Sequence, residues 1–230
     1  MKAIADVLGP NCRALILHGS LAAGGFRAGA SDIDLLAVVD EPLTDDQADA
    51  VVRLARDADL GEAAGLDLDV ITTAVALAPT PAPPLELHVG RYPAEPDIEV
   101  ERRLPAAPDL PAELSMARQN GRILAGDITL APIPPEWVIA RGRHWLRTWQ
   151  GLTDDTAHAA FMVLTACRIW HFATERHHVP KAAAARWALT QNQSLTAIGQ
   201  ALRQYEGEST AVVDEPAITA VLAEALRRTT

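Results

Sequence analysis

The hydrophobic pattern changes character partway along the chain. Over the first 131 residues, short apolar runs of strand length alternate with helix-like stretches. Arg13–His18 (Arg-Ala-Leu-Ile-Leu-His) and Ile33–Val39 (Ile-Asp-Leu-Leu-Ala-Val-Val) read as buried strands. Thr44 followed by Gln47 forms a capping-box pattern and opens a helix that carries Val51, Val52 and Leu54 and runs to about Leu60. Leu66–Thr72 alternates strictly, Leu-Asp-Leu-Asp-Val-Ile-Thr, and predicts a half-buried strand. Leu85–Val89 is a further strand candidate, and Leu110–Leu124 has a helical pattern. Beyond Pro132 the apolar spacing is near three and four throughout. It predicts helices at Glu136–Trp149, Thr156–Thr174, Lys181–Leu189, Ser194–Tyr205 and Pro216–Arg228, with Pro180 at a helix start. The expected fold is therefore α+β: a mixed-sheet domain over residues 1–131, then an all-α bundle over 132–230. The boundary is placed at Pro132-Ile133-Pro134-Pro135 because such a run continues neither a helix nor a central strand.

Composition sharpens this division. Of 16 prolines, 12 lie between Pro79 and Pro135, and all five tryptophans follow the proposed boundary. The first 131 residues hold 10 Lys and Arg against 21 Asp and Glu, a net of −11; the remainder holds 10 against 9, a net of +1. An overall charge of −10 argues against a phosphate-backbone partner and suits a cationic small molecule. With 49% hydrophobic residues the chain can bury a core. It has no apolar run of the ~18 residues that a membrane span needs. No secretion signal is visible, and Cys12 and Cys167 form no disulfide framework, so reduced thiols in a cytoplasmic, monomeric protein are expected.

The chemistry concentrates at His18-Gly19-Ser20 and Ser31-Asp32-Ile33-Asp34, with Asp32 twelve positions after Ser20. A strand ends at His18, and a helix opening at Gly19-Ser20 would offer backbone amides to a phosphate. Alternation puts Asp32 and Asp34 on one side of the next strand, ~6.6 Å apart along the backbone. Two carboxylates so placed can hold Mg²⁺, a hard cation that prefers oxygen ligands, and two-metal sites place their ions ~3.5–4 Å apart. Asp67 and Asp69 alternate on the Leu66–Thr72 strand, and either could complete the site or accept a proton. His177-His178 beside Arg176 reads as a solvated helix end, since no ligand completes a zinc set there.

The order strand, Gly-Ser, spacer, Asp-x-Asp, apolar strand resembles the nucleotidyltransferase superfamily of the DNA polymerase β type. A closer resemblance is to the aminoglycoside 3″/9 adenylyltransferases, which confer streptomycin and spectinomycin resistance. It rests on Leu17-His18-Gly19-Ser20, Gly24-Gly25, Ser31 to Leu36, Ile123-Leu124-Ala125-Gly126, Leu164-Thr165, Arg168-Ile169-Trp170, Pro180-Lys181 and Ala184 to Ala188, roughly Arg13 to Gly207.

The resemblance implies site residues. Asp32, Asp34 and Asp67 would hold two Mg²⁺ ions, and Asp67 would also be the catalytic base. The family has a glutamate there, one methylene longer, so Asp69 stays in reserve. Gly19, Ser20, Ser31, Arg168 and Lys181 would bind ATP, the co-substrate, in a cleft between the domains. Tyr92, Trp149, Asp154 and His158 would contact the drug, and an indole face beside a carboxylate suits a guanidinium group. His158 stands where the family has an acidic drug contact, and Phe161 where it has a polar one. Trp149 also reads as core packing, and Asp154 as a helix cap before Thr156. The implied reaction is transfer of AMP from Mg-ATP to a hydroxyl of a cationic antibiotic, streptomycin first and spectinomycin second. The competing readings are a nucleotidyltransferase acting on another small molecule, a protein or RNA, and a catalytically silent ligand-binding module.

Overall fold

The computed structural model describes residues 2–92 and 97–230. It divides into two compact units, Met1–Ile133 and Pro134–Thr230. Among the described residues, no helix is long and apolar enough to cross a membrane.

The first unit is built on a six-stranded sheet of β1 (Cys12–His18), β2 (Ile33–Val39), β3 (Leu66–Thr72), β4 (Leu85–Arg91), β5 (Glu99–Leu104) and β6 (Arg122–Gly126), ordered β5-β4-β3-β2-β1-β6. β2 and β3 run parallel and the other neighbours antiparallel. Period-two alternation gives the sheet two buried faces. On one, Leu15, Leu17, Leu35, Ala37, Leu68 and Val89 pack with helices α1 (Lys2–Leu8) and α3 (Asp45–Asp57). On the other, Ala14, Ile16, Leu36, Val38 and Ile71 pack with α4 (Thr73–Leu77) and α5 (Leu110–Asn120). The expected capping box at Thr44 is formed, with both reciprocal bonds to Gln47, and α3 ends at Asp57.

Several expectations need correction here. Leu66–Thr72 is a strand, but an interior one, covered on both faces over most of its length; Asp69 is 9% exposed, and only at its start does Asp67 open partly to solvent. Its alternation records a change of chemistry on one face, not a face turned to water. The helical segment expected over Leu110–Leu124 ends at Asn120. Gly121 follows, where a Cβ would lie 2.2 Å from the Ala117 carbonyl, and the chain continues as the edge strand β6. The opposite edge, β5, carries Arg102 and Arg103, paired with Asp49 and Asp45 of α3. Charges on an edge strand discourage pairing with another chain.

The second unit holds α6 (Pro135–Trp149), α7 (Ala159–Glu175), α8 (Lys181–Gln191), α9 (Thr196–Tyr205) and α10 (Glu215–Arg228). α7 is its axis: Met162, Val163, Ala166, Cys167 and Trp170 are buried against the other four helices. Ala184, Ala185 and Ala188 of α8 are fully buried, and their small side chains let that helix approach α7 closely. The His177-His178 segment is not simply solvated. His178 stacks on Phe172 with centroids 4.3 Å apart, and burial, then the nearby Arg168 charge, lower its pKa to about 3.

Candidate active site

Strand register assembles the site. His18 pairs with Asp34, Asp34 with Asp67, and Asp67 with Gly90, so one row crosses β1, β2, β3 and β4. The next row inward is Ile16, Leu36, Asp69 and His88. Alternation sets Asp34, Asp67 and Asp69 on the same face as Leu36, Val38 and Ile71. This face is thus apolar at one end and acidic at the other. Adjacent strands lie ~4.8 Å apart, so Asp34 and Asp67 are immediate neighbours, whereas Asp69 sits one pair deeper. Register therefore separates two carboxylates that are equivalent in the sequence.

Asp32 precedes β2 in a loop fixed by backbone bonds. Ile33 donates to Gly65, Ala64 to Ser31, and Gly29 to Glu62. Ser31 is buried, and its hydroxyl accepts from the Arg27 amide at 3.0 Å, so it braces the loop that carries Asp32. Two glycines leave space for the carboxylates. At Gly19 (φ +61°) a Cβ would fall 1.8 Å from Asp34 Oδ2; at Gly65 it would fall 2.5 Å from Asp32 Oδ1. The glycine of the Gly-Ser pair is therefore required twice, by its left-handed backbone and by the Asp34 carboxylate lying against it. The helix expected after Ser20 is a single turn, α2 (Gly19–Ala22). A helix dipole is thus unavailable there, and the amides of a tight turn remain.

Electrostatics set the carboxylates apart. Burial, together with the charges of Asp69 and Asp32, pushes the Asp67 pKa up to about 6, against the opposing pull of His88 and Tyr92. The Tyr92 phenol donates to Asp67 Oδ2 at 3.1 Å. His88 Nδ1 lies 2.9 Å from Asp69 Oδ1 and 3.7 Å from Asp67 Oδ1. Burial works against the His88 proton, but the bond to Asp69 and the two carboxylate charges prevail and raise its pKa to about 9. Asp69 is thus committed to an ion pair, while the Asp67 side chain stays 37% exposed. Ligand atoms of Asp67, Asp69 and His88 lie within 4.8 Å of one another. His18 is kept neutral, with a pKa lowered to about 4 by burial, and its Nδ1 sits 3.6 Å from Glu113 Oε2.

His88, Gly65 and Gly90 were not singled out by the sequence. Glu86-Leu87-His88-Val89 alternates and puts His88 on one face of β4, but only knowledge that β4 pairs antiparallel with β3 sets it beside Asp69. Tyr92 also lines, with Arg91 and loop 58–64, a cavity of about 420 Å³.

In the helical unit, Lys181 opens α8 and its Nζ lies 4.6 Å from the centroid of Phe161, a cation–π contact. Arg168 is on α7, half-buried. Trp149 stacks on Trp145 at 5.9 Å and meets Phe161 edge-on at 5.9 Å. Trp149 is 8% exposed and belongs to the core, whereas Phe161 is 48% exposed. The ring of this array that faces solvent is Phe161. Asp154 is exposed and caps nothing, because α7 begins at Ala159. Asp155 instead accepts from the His158 amide at 3.2 Å and meets its ring at 2.7 Å.

Comparison with known proteins bears on the family and the fold. Residues 8–101 match the family described as nucleotidyltransferase domain. Residues 129–228 match aminoglycoside adenylyltransferase, C-terminal domain. A similar solved structure is a spectinomycin adenyltransferase from Enterococcus faecialis, determined with ATP and spectinomycin. It superposes with a TM-score of 0.75 at 19% identity, covering 99% of this chain and 95% of that one. At that identity the likeness is one of fold.

Proposed function

Since the chain belongs to the aminoglycoside adenylyltransferase family of the nucleotidyltransferase superfamily, we propose that it transfers AMP from Mg-ATP to a hydroxyl of a cationic aminoglycoside-type antibiotic, streptomycin before spectinomycin. The observation that carries the reading is the register that sets Asp34 beside Asp67 at the Gly19-Ser20 turn.

Asp32, Asp34 and Asp67 fit Mg²⁺, because all three offer oxygen ligands, Gly65 and Gly19 leave the Asp32 and Asp34 carboxylates room, and Asp67 lies beside Asp34. Burial, and after it the charges of Asp69 and Asp32, raise the Asp67 pKa, and a bound cation would offset both. Bound Mg²⁺ would supply charge neutralisation at the phosphates of the reacting nucleotide. Asp67 accepts the proton of the attacking hydroxyl. The acceptor oxygen bonds to the α-phosphorus of ATP, the bond from that phosphorus to the bridging oxygen breaks, and pyrophosphate leaves. Gly19 and Ser20 offer turn amides and a hydroxyl to the nucleotide phosphates. Arg168 and Lys181 are proposed as cationic phosphate ligands, and the Phe161 ring orients the Lys181 ammonium. Ser31 is assigned to holding the Asp32 loop as well as to the nucleotide site.

For the acceptor, the acidic first 131 residues favour a cation. Exposed Asp154 and the exposed face of Phe161 suit a guanidinium-bearing ring, with Trp149 as the support beneath. A hydrogen bond to a charged group is worth ~1.5–3 kcal/mol in general, and an exposed one less. Asp154→Asn is accordingly expected to weaken streptomycin binding several-fold and leave ATP binding unchanged, as read by calorimetry. Equal streptomycin affinity in the two proteins removes Asp154 from the acceptor site. The activity itself is tested by mass spectrometry of an aminoglycoside panel after incubation with Mg-ATP. The expected product is streptomycin carrying one AMP; no adduct on any member contradicts the assignment.

A further inference from the structure

We propose that Tyr92 is a positioning residue for Asp67, holding the proton-accepting carboxylate in place through its phenol, and that Gly90 is present to seat the ring that does so. The inference rests on the reading of Asp67 as proton acceptor. Asp67 on β3 lies opposite Gly90 on β4. Tyr92 follows the end of β4 at Arg91, and its ring turns back over that glycine. A Cβ at Gly90 would lie 2.6 Å from Cε2, 2.7 Å from the phenol oxygen and 2.8 Å from Cζ of Tyr92. Gly90 has no positive φ to explain it; the ring occupies the volume that any other side chain would take. So seated, the phenol reaches across to the neighbouring strand and donates to Asp67 Oδ2 at 3.1 Å.

The need for such a restraint follows from the surroundings. Asp69 and Asp32 both repel the Asp67 carboxylate. The nearby cation, His88, is 3.7 Å from Oδ1, too far for a hydrogen bond, and is engaged with Asp69 at 2.9 Å. A terminal carboxylate torsion is broad and soft, so an unrestrained Asp67 would swing away from its neighbours. A phenol restrains it without adding charge. It occupies one lone pair of Oδ2 and leaves Oδ1 and the remaining lone pair for a proton or a cation. Misplacing a reacting group by ~1 Å can cost 10²-fold in rate.

The rival role for Tyr92 is direct contact with the acceptor, since its ring also lines the cavity beside loop 58–64. A double-mutant cycle separates the two. Tyr92→Phe should lower kcat by ~10-fold or more, the value of a hydrogen bond to a charged group, and leave KM for ATP and for streptomycin within about twofold. Gly90→Ala, which keeps the phenol but fills its seat, should lower kcat in the same way. In an Asp67→Asn background, Tyr92→Phe should cost nothing further. A second readout needs neither metal nor nucleotide. The chain has two tyrosines, Tyr92 and Tyr205, so protein labelled with ¹³C at tyrosine Cζ gives two signals, and Tyr92→Phe identifies one of them. Asp67→Asn should move the Tyr92 signal and leave that of Tyr205 in place. An unmoved Tyr92 signal overturns the proposal. So does a raised KM for streptomycin with kcat intact, or a Tyr92→Phe effect that is undiminished in Asp67→Asn. Full turnover by Asp67→Asn with a moved Tyr92 signal would mean that the contact exists but that the reading of Asp67 is wrong.

Discussion

Asp67→Ala is expected to lower the rate of AMP transfer by ~10²–10⁴-fold, the usual worth of a positioned general base, while ATP binding changes far less. The expectation follows from register: Asp67 is the carboxylate opposite Asp34 and is partly open to solvent. Asp69 lies opposite Leu36, is 9% exposed, and is held by His88 at 2.9 Å. Asp69→Ala should therefore cost mainly stability, by leaving the His88 cation without its closest partner in a buried setting. Single-turnover kinetics and calorimetric ATP titration of both variants make the comparison. If Asp69→Ala is the silent enzyme and Asp67→Ala turns over normally, the roles are reversed. Asp67→Glu would restore the family's residue type, and measurable turnover in it would show that the site accepts the extra methylene.

Gly19→Ala should damage both stability and activity. The residue has φ +61°, a region that costs L-residues ~1–2 kcal/mol. Its new methyl would stand 1.8 Å from Asp34 Oδ2, so the carboxylate must rotate away or the turn must open. Either movement displaces an oxygen proposed to hold Mg²⁺, and a rate loss of ~10²-fold or more is expected. The thermal midpoint should fall as well, by several degrees for each ~1–2 kcal/mol in a domain of this size. Gly9, with φ +57° and open space around its missing Cβ, is the control: Gly9→Ala should destabilise without slowing transfer. Wild-type turnover in Gly19→Ala would mean that Asp34 is not confined as described.

Much of this site was legible in the sequence because its parts are local. Gly19-Ser20 opens the turn at the end of β1, and Asp32-Ile33-Asp34 leads into β2, its antiparallel neighbour, so closeness along the chain brings them together. The helices of the second unit were legible for a related reason, since each buries one stripe against α7 and leaves a 3.6-residue period. What the chain hid depends on pairing between distant segments. Asp67 and Asp69 differ only in whether Asp34 or Leu36 lies opposite, and His88 matters only because β4 runs antiparallel to β3. The edge strands were missed because edges do not bury a full face. In β6, Ile123 and Leu124 are 47% and 40% exposed and read as the end of a helix, while β5 is largely charged. Trp149 is the reverse case: a tryptophan beside an acidic residue resembles a drug contact, yet the packing of α6 on α7 puts it in the core and leaves Phe161 outside.

The proposed adenylyl transfer to an aminoglycoside depends on the carboxylates at the Gly19-Ser20 turn. It is tested most directly by following label from α-³²P-ATP into streptomycin, with wild type and Asp34→Asn at the same Mg²⁺ concentration. The two proteins should share a thermal midpoint to within a few degrees, so that folding is not at issue. Wild type should form labelled streptomycin and release pyrophosphate, and Asp34→Asn should form neither. Equal labelling by Asp34→Asn, or no labelling by well-folded wild type, would contradict the account.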